Sequence, residues 1–134
     1  MVTVYDVEPN KLISSAAQKL KGKVEKPAFV GIVKSGAHAQ RPPMQGDFFF
    51  VRCASILRQA YVNGVIGTQR LRRHYGGRKR RGVKPARHMK SGGSTIRKAI
   101  QQLEKAGFLV KEKVGRRISP SGRKLLDLAA KESV

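Results

Sequence analysis

Apolar residues recur at helical spacing along much of the chain and alternate with charged ones near its end. Leu12, Ile13, Ala16, Ala17 and Leu20 form a stripe that predicts a helix from about Glu8 to Lys21. Asp6 is its expected N-cap, Pro9 fits its first turn and Gly22 ends it. Phe29, Val30 and Val33 suggest a short second helix over Pro27 to Val33. Gly36, Pro42, Pro43 and Gly46 mark the next stretch as a loop. Asp47 should cap a strong helix from Phe48 to Val62, closed by Asn63-Gly64. Its apolar side carries Phe49, Phe50, Cys53, Ile56, Leu57, Ala60 and Tyr61. Its polar side carries Arg52, Ser55, Arg58 and Gln59.

Thr68 reads as the cap of a shorter helix reaching Tyr75 and stopped by Gly76-Gly77. Leu71 and Tyr75 face inward, and Arg70, Arg72 and Arg73 face outward or flank that side. From Arg78 to Gly93 there is no apolar period, so this stretch is expected to be an extended loop, held open by its own charge. Ser94 should cap a helix over Thr95 to Ala106. Ile96, Ala99, Ile100 and Leu103 are buried on it, and Arg97, Lys98, Gln101 and Lys105 lie opposite. Phe108 to Lys113 alternates as a half-buried strand, Gly115 turns and Arg116 to Ser119 returns. Ser119-Pro120 opens a last helix running to about Lys131.

From Asp47 onward the order is helix, helix, helix, hairpin, helix, as in a winged helix. The expected fold is therefore mainly α: a winged helix with a small antiparallel β-hairpin wing, plus N-terminal helices. Its 134 residues suit one domain. Residues 1–46 would be an N-terminal helical part. Residues 47–134 would be the winged-helix core, with the basic loop at 76–93.

Charge sharpens the picture. Twenty-nine lysines and arginines against eight carboxylates give a net charge of +21. No acid occurs between Phe48 and Leu103, and Arg70 to Lys90 holds ten basic residues in twenty-one. Such an imbalance points to a polyanionic partner rather than a single acidic substrate. Tyr75-Gly76-Gly77-Arg78-Lys79-Arg80-Arg81-Gly82 is the centre of that surface. Arginine forks match phosphate, glycines allow close backbone approach, and Tyr75 could stack on a base. So long an insertion between two helices suits folded RNA better than the major groove of a duplex.

Other chemistries find no support in the sequence. Cys53 is alone, so no intramolecular disulfide is possible, and it sits on an apolar helix face as a small core residue. His38, His74 and His88 have no metal-ligand spacing. His74 and His88, set among cations, read as phosphate contacts, and the triplet Phe48 to Phe50 as core. No carboxylate or thiol pairs with a histidine, so no catalytic residue, cofactor or small-molecule substrate is expected. No apolar run is long enough to cross a bilayer, and no secretory leader opens the chain, so a soluble, intracellular protein with no membrane partner is expected.

The chain resembles small-subunit ribosomal protein nineteen of the eukaryotic and archaeal type, nearly from end to end. The likeness rests on Thr3-Val4-Tyr5-Asp6-Val7, Asp47 to Ser55, Tyr75-Gly76-Gly77-Arg78 with its basic sequel, Ile100 to Glu104, and Gly115 to Gly122. Where the family often has tryptophan, Phe29 and Phe48 stand here; Cys53 replaces a common alanine. The short end without a basic tail looks archaeal. The resemblance implies a structural, rRNA-bound protein of the small-subunit head that supports subunit assembly and rRNA maturation. It would lie in the cytoplasm within the small subunit, beside other small-subunit proteins, and be a monomer outside it. The implied rRNA contacts are Arg52, Arg58, Arg70, Arg72, Arg73, Tyr75, Gly76, Gly77, Arg78, Lys79, Arg80, Arg81, Lys84, Arg87, Lys90, Arg97 and Lys98.

The competing reading is a winged-helix transcription regulator on duplex DNA. Regulators of that kind usually dimerise through an exposed apolar helix, and the short, mixed final helix offers little for that role.

Overall fold

The computed structural model describes residues 2–30, 32–44 and 46–133. Five α-helices and two small antiparallel sheets occur among them. A 3₁₀ turn at Val4–Asp6 leads into α1 (Pro9–Leu20). Then follow α2 (Phe48–Asn63), β1 (Val65–Ile66) and α3 (Thr68–Tyr75). β2 (Gly77–Arg81) and β3 (Lys84–Met89) precede α4 (Gly93–Lys105). β4 (Leu109–Glu112), β5 (Gly115–Ile118) and α5 (Pro120–Ser133) complete the chain.

The helical stripes do what their spacing requires. Leu12, Ala16, Ala17 and Leu20 of α1 are buried against α2 and α5. Phe49, Cys53, Ile56, Leu57 and Ala60 make α2 the central element of the core, touching α1, α4, α5 and the sheet. α4 contributes Ile96, Ala99, Ile100 and Leu103, and α5 contributes Leu125, Leu126, Ala129 and Ala130. Burial lifts the Cys53 thiol to about 12, as befits an apolar core position.

β4 and β5 pair in the register Leu109↔Ile118 to Glu112↔Gly115, and β1 adds to the far edge of β5 to give the order β1-β5-β4. β1 is two residues long and escapes any periodicity test. At the start of α5 the Ser119 hydroxyl accepts from the Gly122 N–H at 3.2 Å and donates to the Gly107 carbonyl at 2.5 Å. This is the expected serine-proline opening.

Four local expectations fail. Residues 27–33 form turns rather than a helix, with Val30 N–H on the Pro27 carbonyl and Val33 N–H on that of Phe29. Gly31 lies outside the described residues. A segment this short cannot repay helix nucleation on its own. Asp6 does not cap α1; its carboxylate accepts from the Thr3 backbone N–H at 2.9 Å, closing the preceding turn. Gly67 and Gly92, not Thr68 and Ser94, stand at the caps of α3 and α4. Finally, the basic stretch after Arg78 is not an extended loop. It folds back on itself as the β2–β3 hairpin, and α4 begins at its last residue, Gly93.

Candidate nucleic-acid interface

The β2–β3 hairpin is built from its root outward. α3 ends at Tyr75, and Gly76 turns the chain so closely beneath the Met89 carbonyl oxygen that a Cβ would collide with it. Gly77 then pairs with Met89, and a Cβ there would stand 2.7 Å from the His38 ring. The outgoing strand is tied back to α3: Ser91 N–H donates to the Arg72 carbonyl, and Arg72 Nε donates to the Ser91 carbonyl, both at 2.9 Å. The segment before α2 joins in through a Gly36↔Ser91 bridge and the Gly92 N–H on the Ser35 carbonyl at 2.7 Å. At the tip, Gly82 takes φ +67, a conformation that side chains resist, and Val83 beside it is fully exposed.

Along the ladder, basic side chains face one another, and two of the pairs set cation against cation. Arg78 opposes His88, Lys79 opposes Arg87 and Arg81 opposes Lys84, with the register shifting between Lys79 and Arg81. Like charges directly across a strand pair destabilise it. Within the hairpin the offset is modest: Arg81 Nε donates to the Pro85 carbonyl at 2.9 Å. The β4–β5 pair is different. Arg116 meets Glu104 at 3.1 Å and Arg117 meets Glu112 at 2.9 Å. Every ion pair among the described residues involves the N-terminal turn, α1, α4–β5 or α5, and none reaches β2 or β3.

The helices carry the same surface around the hairpin root. Arg70 and Arg73 are exposed on α3, and Arg97 and Lys98 are exposed near the start of α4. Arg72 flanks the inward side of α3; it is half-buried, with its Nε spent on the Ser91 carbonyl. Lys90 reaches the Gln69 side chain at 3.3 Å. On α2, Arg52 is half-buried with its guanidinium over the Tyr75 ring, and Arg58 has a buried Nε without a hydrogen-bond partner among the described residues. Burial lowers the Arg52 pKa from its ordinary value, and the guanidinium stays charged.

Two open grooves run beside these cations. One, of about 460 Å³, lies between Phe29, Val33, Lys34 and the start of α4 at Ser94, Arg97 and Lys98. The other, of about 550 Å³, is lined by Lys34, His38 and Gln40 with Arg78, Lys79 and Arg80. Lys34 and His38 are therefore part of the surface although no motif in the sequence marks them. Only their packing beside Arg78 and Gly77 reveals them. The residues expected to form one RNA-binding set thus gather around one hairpin and its root, with Arg97 and Lys98 across the first groove.

The sequence matches the family described as Ribosomal protein S19e over residues 3–134. The chain belongs to that family. Proteins named small ribosomal subunit protein eS19 are similar to it along their length. That of Aeropyrum pernix is 47% identical, over 98% of this chain and 90% of the relative. Those of Emericella nidulans and Thermoplasma volcanium are 42% and 41% identical, over 99% and 100% of this chain and 93% and 91% of theirs. S19e proteins are structural ribosomal components, not enzymes. No grouping of three potential metal ligands exists among the described residues.

Proposed function

We propose that this chain is a structural protein of the small ribosomal subunit, gripping rRNA with the β2–β3 hairpin and the cationic faces of α2, α3 and α4. The observation that carries this reading is the ladder of β2 and β3, where cation opposes cation and no carboxylate answers. A phosphate backbone supplies the missing charge, and arginine forks bind it in pairs of donors. The contacts are those of Arg52, Arg58, Arg70, Arg73, Arg78 to Arg81, Lys84, Arg87, Lys90, Arg97 and Lys98. Gly76 and Gly77 allow the close fold-back and Arg72 braces its return.

In this reading the whole chain is one domain. Residues 1–46 complete a core whose remainder is a winged helix, with the sheet of β1, β5 and β4 as the wing. The basic hairpin is an insertion between its second and third helices. The protein sits in the subunit head beside other small-subunit proteins, in the cytoplasm, and supports assembly and rRNA maturation. Outside the subunit it is a monomer, with no membrane partner. No helix among the described residues is long and apolar enough to cross a membrane.

Sedimentation of tagged protein tests the reading: it travels with the small subunit, and travel with chromosomal DNA would replace rRNA by duplex DNA. In vitro, contact with about six to ten phosphates should cost roughly 10³- to 10⁵-fold in affinity for small-subunit rRNA between about 50 and 200 mM salt. A flat salt response would exclude the electrostatic grip.

A further inference from the structure

Tyr75 stands between α2 and the root of the hairpin. The Arg52 guanidinium carbon lies 4.0 Å from the centre of its ring and 5.1 Å from that of Phe48. The Tyr75 hydroxyl shares a 2.6 Å hydrogen bond with the hydroxyl of Ser55, three residues after Arg52 on the same helix. His74 closes edge-on at 4.8 Å between ring centres. The ring is thus fixed at its backbone by the end of α3 and at its hydroxyl by α2. Burial raises the Tyr75 pKa against the lowering effects of the Ser55 bond, Arg52 and Arg58, so the phenol is neutral at physiological pH.

The Arg52 guanidinium makes no ion pair or hydrogen bond among the described residues. Its donors remain unspent while its position is set by the aromatic ring beneath it. An arginine stacked in this way surrenders less side-chain freedom when it meets an anion. A base, in contrast, would have to compete with Arg52 for one face of a half-buried ring whose hydroxyl is already engaged.

We propose that Tyr75 is a positioning residue, holding Arg52 in place for an rRNA phosphate and not stacking on a base itself. The proposal rests on the rRNA reading above and names which of its residues act through another. It also explains the value of arginine at this position: lysine would keep the charge and lose the planar stack.

The test uses the full chain, small-subunit rRNA transcribed in vitro, and a salt series for each variant. Arg52→Ala should weaken binding about three- to tenfold and reduce the slope of log affinity against log salt by about one. Tyr75→Leu should reproduce both changes, the double variant should lose little more than either single one, and Tyr75→Phe should recover the slope. Additive losses in the double variant would show Tyr75 touching RNA directly and overturn the proposal. So would a Tyr75→Leu protein that binds as the parent while Arg52→Ala does not; the rRNA reading would survive that result. Loss of binding in neither these variants nor a hairpin variant would remove the rRNA reading itself. Should Tyr75→Leu melt, Arg52→Lys decides: it should bind nearly as poorly as Arg52→Ala, and parental affinity would overturn the proposal.

Discussion

Lys79 stands directly across the β2–β3 ladder from Arg87, one cation against another. The pair costs stability in the free protein and becomes favourable only beside an anion. The melting temperature of the free protein should therefore rise between about 50 and 500 mM salt, as ions screen the hairpin. Combined Arg78→Ala, Lys79→Ala, Arg80→Ala and Arg81→Ala should flatten that rise and leave far-UV circular dichroism of the helices intact. The same variant should lose incorporation into small subunits, and its rRNA salt slope should drop by about three. Normal incorporation would make the hairpin a bystander.

Leu57 of α2 is fully buried and Ile100 of α4 is 4% exposed, in the seam where those helices pack. Leu57→Ala or Ile100→Ala should lower stability by about 2–5 kcal/mol in urea melts. A shift below about 0.5 kcal/mol would mean that the seam relaxes around the lost side chain.

Gly76 admits no Cβ because the Met89 carbonyl lies against it. Gly76→Ala should pry the hairpin from its root at a cost of about 1–3 kcal/mol. Amide exchange at Gly77 and Ser91 should quicken before that of α5. Uniform quickening would point to global rather than local loss.

Cys53 reports on core integrity. Its thiol, raised to about 12 in the fold against an ordinary 9.0, stays protonated where the unfolded chain ionises. Above about pH 9 the unfolded state therefore binds fewer protons, and stability falls as pH rises towards 12. Cys53→Ala should remove this part of the alkaline decline. Native protein at pH 8.5 should also resist alkylation by iodoacetamide, while urea-unfolded protein reacts; equal rates would mean an open thiol.

What could be read from residues alone divides by periodicity. α1, α2, α4 and α5 declare themselves because stripes such as Ile96, Ala99, Ile100 and Leu103 encode burial in a 3.6-residue period. β2 and β3 carry no such record. Their half-buried positions include Lys79 and Arg81, so the alternation that marks a strand is written in cations and looks like a charged loop. The hairpin is held instead by contacts distant in sequence, from His38, Ser35 and Arg72. Arg52 was legible as a cation on the polar side of α2, but its seat on Tyr75 depends on where α3 ends.

α1 and α5 lie side by side, and the join reaches from one end of the chain to the other. Lys19 Nζ donates to Glu132 at 2.8 Å, and the Ser133 hydroxyl contacts the Lys11 carbonyl at 3.5 Å. During synthesis α1 emerges before α2 and can settle on it, yet the side of it that α5 covers stays wet until α5 itself has emerged. A nascent chain stalled before Pro120 is therefore both strongly cationic and unfinished at its core, a species prone to cling to any nearby nucleic acid. The last join of the core is thus made by the helix furthest along the chain, and whether α1 is covered or bare tells a closed fold from an unfinished one.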